Sequence, residues 1–256
     1  MTFQTHTRID LVTIPGTSYV ALAQDKNLTP KALAAGTIVI ETELANLPEV
    51  RALGPEDVVL DVGAFIGDTA LIFAERGAMV LGFESQVDAY FASIWNTRCE
   101  RRTRIFHAAI GNGQRVAINQ DPIGGNLGTR TVGEVMLGRP AETFAERLDD
   151  IAKSTWPTFV KIDVEGFEPA VIAGAHELLT NHKPTVLVEI YPELLARNGW
   201  TAADVTGPLE ALGYRWREAI GNSSEPRWDI IAIHESKSKE RCAGGVSGSL
   251  YPVRPD

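Results

Sequence analysis

From Val58 to about His234, short β-favouring apolar runs alternate with stretches of helical spacing. Val58-Val59-Leu60 predicts a strand that runs into Asp61. Gly63 and Gly67 mark a turn, and Asp68-Thr69 opens a helical run, ALIFAERG. Met79 to Phe83 predicts a second strand, ending at Glu84. A third runs from Arg104 to Ile110 and is stopped by Gly111-Asn112-Gly113. A helical pattern over Ala141 to Lys153 precedes a fourth strand, Phe159 to Val164. After Phe167, the residues Val171, Ile172, Ala175, Leu178 and Leu179 are spaced for one apolar face. A fifth strand is predicted over Thr185 to Ile190. Helical segments follow from about Pro192 to Leu212, interrupted near Gly199. Tyr214 to Glu218 and Asp229 to His234 close as a strand pair through Gly221-Asn222-Ser223.

Such alternation implies an α/β fold, a mostly parallel sheet covered by helices on both faces. The last strand pair implies an antiparallel strand at one edge. Residues 1–57 read as an extension or cap, with short strands at Ser18 to Leu22 and Thr37 to Ile40 and a helix over Leu44 to Leu53. No chemistry is legible there. Residues 58–235 form the main domain. Residues 236–256, rich in Gly, Ser, Lys and Pro, read as a mobile tail. Gly111 to Pro140 interrupts the alternation with Gly124-Gly125-Asn126 and Gly128-Thr129-Arg130. A long excursion of this kind between parallel strands is expected to border a ligand crevice.

Charge narrows the partners. A formal charge of −9 disfavours nucleic acid and anionic membrane surfaces. The start, MTFQTHTRID, has no signal pattern, and the chain holds no run of about 18 apolar residues. Cys99 and Cys242 have no metal-like spacing. The expectation is a cytoplasmic protein with free thiols.

The turn after the first strand carries the first chemical signal. Strand, glycine turn and helix start together present a nucleotide-like ligand to backbone N–H groups. The spacing fails both phosphate patterns, because Phe65 and Asp68 stand where a dinucleotide motif needs glycine and no lysine follows Gly67. Asp61 would repel a pyrophosphate and attract a cation. S-adenosylmethionine, with its sulfonium and α-amino group, is such a ligand. Glu84 ends the second strand, where an acid accepts hydrogen bonds from ribose hydroxyls.

A second signal is KIDVEGFE at 161–168. Alternation along a strand puts Lys161, Asp163 and Glu165 on one face. Charges there are costly unless paired or open to a crevice. Asp163 and Glu165 fall at the carboxyl end, where open α/β sheets place their sites. One or both would then work near an acceptor hydroxyl, with Lys161 neutralising or orienting. Glu189, ending the fifth strand, offers with Asp163 a pair of oxygen ligands for Mg²⁺ or an acid–base pair. His107 and His234 are further possible proton acceptors.

These residues resemble the FkbM family of S-adenosylmethionine-dependent methyltransferases. The resemblance rests on DVGAFIGDTA at 61–70, FES at 83–85, AAIGN at 108–112, KIDVEGFEPAVIAGA at 161–175 and LVEIYP at 187–192. Phe65 and Ser85 depart from it, since the family typically reads Asn and Pro there. The resemblance implies a Rossmann-like class I methyltransferase fold with a seven-stranded sheet. It implies cofactor binding by Asp61, Gly63, Ala64, Gly67, Asp68, Thr69, Glu84, Ser85 and Ala109. It also implies O-methylation of a hydroxyl on a small molecule, sugar or other natural product, and the strand-end argument puts Asp163, Glu165 and Lys161 at the reacting centre. A nicotinamide-dependent oxidoreductase and a non-catalytic cofactor-binding protein are the alternatives.

Overall fold

A computed structural model describes residues 9–38, 42–118, 127, 130, 132–134 and 142–237. The N-terminal part holds β1 (Leu11–Thr13), β2 (Val20–Leu22), α1 (Leu28–Ala35), α2 (Thr42–Asn46) and α3 (Pro48–Arg51). The main domain begins with β3 (Val58–Val62), α4 (Asp68–Glu75), β4 (Met79–Glu84), α5 (Val87–Asn96) and β5 (Thr103–His107). An excursion follows, with β6 (Arg115–Ile118), β7 (Val132–Glu134) and β8 (Glu142–Phe144), and then α6 (Leu148–Ile151). The rest is β9 (Phe159–Ile162), α7 (Glu168–Ala173), α8 (His176–His182), β10 (Thr185–Ile190), α9 (Pro192–Arg197), α10 (Ala202–Ala211), β11 (Tyr214–Ile220) and β12 (Trp228–His234).

Seven strands form one sheet in the order β11-β12-β10-β9-β3-β4-β5. The chain starts in the middle at β3, builds outward through β4 and β5, then returns across to β9 and β10. That reversal makes β3/β9 the switch point, where open α/β sheets bind ligands at their carboxyl ends. One strand, β12, runs antiparallel, as the sequence implied. It is not the edge strand expected from the sequence, because β11 pairs outside it and β12 is inserted between β10 and β11.

Alternation along the central strands decides what covers each face. Leu60, Val160, Ile162, Val186 and Val188 pack beneath α7, α8 and α10 through Val171, Ile172, Leu179 and Leu209. Val59, Phe159, Leu187 and Ile231 face the other way, against Phe73 of α4 and Leu44 and Val50 of the N-terminal helices. Asp61 and Lys161 are register partners on that second face. The N-terminal part is further tied to the sheet by Glu49, whose carboxylate accepts both hydrogen bonds from Arg217 of β11, at 3.0 and 2.9 Å.

Several elements differ from the sequence expectations. Glu142–Phe144 was expected in a helix but pairs with β6, because Phe144, Thr143 and Glu142 register with Arg115, Val116 and Ala117. Only Leu148–Ile151 and a 3-10 turn at Ala152–Ser154 are helical in that stretch. The helix after Phe167 breaks into α7 and α8 at Gly174, where a side chain would meet the Gly111 carbonyl oxygen at 1.8 Å. The helix expected over Leu44 to Leu53 breaks at Leu47, because Pro48 cannot donate a backbone hydrogen bond. The third strand ends at His107 rather than Ile110. Of the expected strand Thr37 to Ile40, residues 39 and 40 lie outside the described residues, as do Gly124 to Asn126, Gly128, Thr129, Cys242 and the tail beyond Lys237. No helix among the described residues is long and apolar enough to cross a membrane.

Candidate functional site: two cavities meeting at the sheet switch point

The carboxyl ends of β3, β4 and β9 open into a cleft. Val62, Gly63, Asp68 and Thr69 contribute from the first turn, and Glu84, Ser85 and Gln86 from the end of β4. Ala109 and Ile110 follow β5, Lys161 lies on β9, and Asp163 and Glu165 follow it. Leu127, Arg130 and Val132 of the excursion and Asn27 and Leu28 of the N-terminal part complete the wall. The excursion was expected to border a crevice, and Arg130 was named within it; Asn27 and Leu28 were not singled out in the sequence, since their place depends on long-range packing. Arg130 is buried and donates to both oxygens of Asp88, at 3.0 and 2.8 Å. Asp25 accepts the Leu127 N–H at 2.9 Å, joining the excursion to the N-terminal part.

Glu84 is held rigidly. Its Oε2 accepts the Phe65 N–H at 2.9 Å and its Oε1 the Gln86 N–H at 2.6 Å. Burial pushes its carboxyl up to about 7 against those two N–H groups. Each oxygen keeps lone-pair capacity for a hydroxyl donor.

Asp61 does not line the cleft, contrary to the expectation that it meets a ligand directly. Its side chain points to the second face of the sheet and is fully buried. Oδ2 accepts the Thr69 hydroxyl at 2.7 Å, and Oδ1 lies 3.7 Å from Lys161 Nζ. Burial raises its pKa, with Lys161 opposing. Ala64 and Gly67 also lie behind the cleft. Ala64 donates its N–H to the Phe83 carbonyl at 3.1 Å, and Gly67 packs on Ser93 and Thr97.

The strand β9 stops at Ile162, so Glu165 is not the alternating strand residue expected. It sits in the following turn with φ 55°, a left-handed conformation uncommon outside glycine. Glu168, at the start of α7, shapes this turn by accepting the Val164 and Gly166 N–H groups at 3.1 and 3.0 Å. The turn brings one oxygen each of Asp163, Glu165 and Glu189 within 4.8 Å of one another. Lys161 Nζ lies 3.0 Å from Asp163 Oδ2, and Arg227 Nη1 lies 3.1 Å from Glu189 Oε1. Glu165 Oε2 and Glu189 Oε2 are buried and find no hydrogen-bond donor among the described residues. Burial, then the Asp163 charge, raise both pKa values well above the ordinary carboxylate range.

A second cavity of about 520 Å³ lies on the other side of Asp163. Leu187, Glu189, Trp228 and Asp229 form its sheet wall, and Thr42 and Glu43 of α2 close it. Lys161, Asp163 and Arg227 border both cavities. His107 and His234 line neither. His107 stacks on Tyr90 with Nε2 3.0 Å from the Ser85 carbonyl, and His234 contacts Ser236.

The residues lining the first cleft suit S-adenosylmethionine in their chemistry. The cleft has an apolar wall, a buried acid at the end of β4, and further acids at Asp68, Asp163 and Glu165. Glycine, at Gly63, allows the β3 turn to pass under the Asp163 carbonyl. For Mg²⁺ the donor atoms are of the right kind. Two of the three carboxylates, however, already hold a cation, Lys161 or Arg227.

Buried Glu168 makes a stability prediction. Burial raises its pKa to about 7 from an ordinary 4.5. The folded chain therefore holds this proton more tightly than the unfolded chain. The resulting stabilisation is full below pH 4.5 and is lost as pH rises through about 7. Glu168→Gln does not titrate, so wild type should lose about 3 kcal/mol relative to it between pH 4.5 and pH 8. That is roughly 6–12 °C in Tm for a chain of this size. A difference in Tm between the two proteins that stays constant with pH would remove Glu168 as the titrating group.

The Methyltransferase FkbM domain matches residues 61–216, more than half of the chain. No curated protein matches. A methyltransferase FkbM from Methylobacillus flagellatus KT is 15% identical with a TM-score of 0.50, covering 71% of this chain and 44% of that one. This chain therefore spans less than half the length of that protein. A precorrin-6y C5,15-methyltransferase from Geobacter metallireducens GS-15 is 14% identical with a TM-score of 0.46, covering 82% and 92% of the two chains. A TehB-like methyltransferase from Corynebacterium glutamicum is 13% identical with a TM-score of 0.47, covering 81% and 94%. The family match spans the switch-point turn, Glu84 and the 161–168 segment, and it excludes the nicotinamide alternative. The chain thus belongs to the FkbM family of S-adenosylmethionine-dependent methyltransferases.

Proposed function

We propose that this protein transfers a methyl group from S-adenosylmethionine in the first cleft to a hydroxyl of a small-molecule or glycan acceptor in the second cavity. The observation that carries this reading is the shared border. Lys161, Asp163 and Arg227 line both spaces, so groups held in each meet beside Asp163. The cofactor supplies an electrophilic methyl group when bound. Glu84 accepts hydrogen bonds from its ribose hydroxyls. Asp61 acts from behind, through Thr69 and Lys161. Asp163 accepts the proton of the acceptor hydroxyl, or orients that hydroxyl, and Lys161 holds the carboxylate in place. Glu165 adds a second carboxyl beside it. Incubating the protein with cofactor and candidate acceptors should give a product heavier by one methyl group. Binding without any methylated product would favour the non-catalytic alternative.

A divalent cation held by Asp163, Glu165 and Glu189 is a second reading, supported by the closeness of their oxygens. Lys161 and Arg227 already hold one oxygen each of Asp163 and Glu189, so the ion would share two of its three carboxylates with a cation. Inhibition by chelator and recovery on adding Mg²⁺ would establish it.

Glu84→Ala tests the cofactor assignment. Hydrogen bonds to a charged group contribute roughly 1.5–3 kcal/mol. Affinity for S-adenosylmethionine should fall about tenfold or more in titration calorimetry. An unchanged dissociation constant in the folded variant would remove Glu84 from the site.

A further inference from the structure

One wall of the first cleft is held by a single side chain. Asp25 is buried, and its Oδ2 accepts the N–H groups of Asn27, Leu28 and Thr29 at 3.2, 2.6 and 2.9 Å. Its Oδ1 accepts the Leu127 N–H at 2.9 Å. Asn27, Leu28 and Leu127 all line the cleft. One carboxylate thus fixes three lining residues from two segments far apart in the chain. Arg130 braces the same corner. Its Nε donates to the Leu127 carbonyl at 3.0 Å, and its other nitrogens hold Asp88 of α5.

This wall has to move. The cleft holds about 120 Å³, below the roughly 300–1,000 Å³ of pockets that enclose a small-molecule ligand. The floor cannot yield, because β3 is paired along its length between β4 and β9. The N-terminal part is attached differently. Its β2 is pinned by Asn96 of α5, which bonds the N–H and the carbonyl of Val20 at 2.8 and 2.9 Å. Further along, the Asn27–Leu28 stretch joins the excursion through Asp25. Phe65 adds an independent sign. It lines the cleft with φ 43°, a conformation that a bulky residue keeps only where its surroundings hold it. Phe65 and Leu127 pack against one cluster, which includes Val20 and Leu22 of β2. The Phe65 N–H also reaches Glu84, so the strained turn links the roof to the acid assigned to the ribose.

We propose that Asp25 is a positioning residue for the cofactor. It latches Asn27, Leu28 and Leu127 into a roof over the first cleft, and this roof lifts for S-adenosylmethionine to enter and for S-adenosylhomocysteine to leave. This rests on the reading of the first cleft as the cofactor site. Asp25 acts on exchange rather than on the methyl transfer itself. Weakening the latch raises the fraction of open molecules, so association and dissociation both accelerate. A residue that only stabilised the fold would lower Tm and leave association no faster.

The test uses the full chain and S-adenosylhomocysteine, with rates read by surface plasmon resonance. Asp25→Ala removes several hydrogen bonds to a charged group, so both rates should rise about tenfold or more. The dissociation constant should move less than either rate. Asp25→Asn keeps one acceptor oxygen and should fall between the two proteins. Hydrogen exchange reads the latch in the wild type, so the test survives a variant that fails to fold. The amides of Leu28, Thr29 and Leu127 all donate to Asp25. They should share one protection factor, and saturating S-adenosylhomocysteine should raise it about tenfold or more for all three together. Unaltered association in Asp25→Ala, unequal protection of the three amides, or protection indifferent to the ligand would overturn the proposal. Glu84→Ala separates the two readings. Weakened binding there, with wild-type rates in Asp25→Ala, would refute the roof and keep the cleft as the cofactor site. Binding that Glu84→Ala leaves unchanged would overturn that site and the roof with it.

Discussion

Asp163→Asn is expected to lower turnover by roughly 10²–10⁴-fold, the contribution of a positioned acid–base group, with affinity for S-adenosylmethionine changed by only a few-fold. The expectation follows from placement. Asp163 sits where the two cavities meet, and its Oδ2 is held by Lys161 at 3.0 Å. Its backbone N–H bonds the Val62 carbonyl at 3.0 Å, so the strand end is fixed and the side chain alone changes. Asparagine keeps the size but cannot take a proton. The cofactor's ribose is assigned to Glu84 on another strand, so binding and chemistry should separate. Single-turnover rates and cofactor titration on the same preparation read both quantities. Full activity in Asp163→Asn would make the charged end of β9 structural. Loss of activity in wild type on adding chelator, with recovery on adding metal, would transfer the role from proton acceptor to metal ligand.

Gly63→Ala should be the most damaging small substitution at the site. A Cβ there would lie 1.7 Å from the Asp163 carbonyl oxygen and 2.8 Å from its carbon, and φ is 84°. Neither backbone can yield independently. Gly63 donates to the Phe83 carbonyl at 2.9 Å, and Asp163 donates to Val62. Relief requires β3 and β9 to part at the switch point. Overpacking and left-handed strain together should cost roughly 3 kcal/mol or more, or about 6–12 °C in Tm. Cofactor binding should weaken with it, since Gly63 lines the cleft. Gly199→Ala is the matched control, because φ is 76° but nothing lies within 4 Å of the added carbon. It should cost only the conformational term of about 1–2 kcal/mol. Equal melting temperatures for the two variants would show that the close approach at Gly63 is not felt.

Much of the architecture was legible before any coordinates. The runs at 58–62, 79–84, 185–190 and 228–234 are apolar enough, and bounded sharply enough, to appear as strands close to where they lie. The family was legible through the resemblance carried by DVGAFIGDTA, KIDVEGFEPAVIAGA and LVEIYP, and the charges of KIDVEGFE at a strand end marked candidate site residues. The excursion was harder to read. Glu142–Phe144 has a helical composition, and pairing with Arg115–Ala117 across a long loop overrides it.

Chemistry that depends on local chain order was therefore set by the sequence. It includes the acid at the end of β4, the glycine at the first turn, and the three charges of the 161–165 segment. The tertiary structure decided which charges share a space. Strand alternation would put Glu165 beside Lys161, but a left-handed turn held by Glu168 puts it beside Glu189 instead. The sequence placed Asp61 at the ligand, and packing puts it behind the cleft on Thr69 and Lys161. The second cavity draws on α2, β10 and the loop before β12, segments far apart in the chain. Periodicity and propensity act over a few residues, whereas burial and ion pairing depend on which distant segments the sheet order brings together.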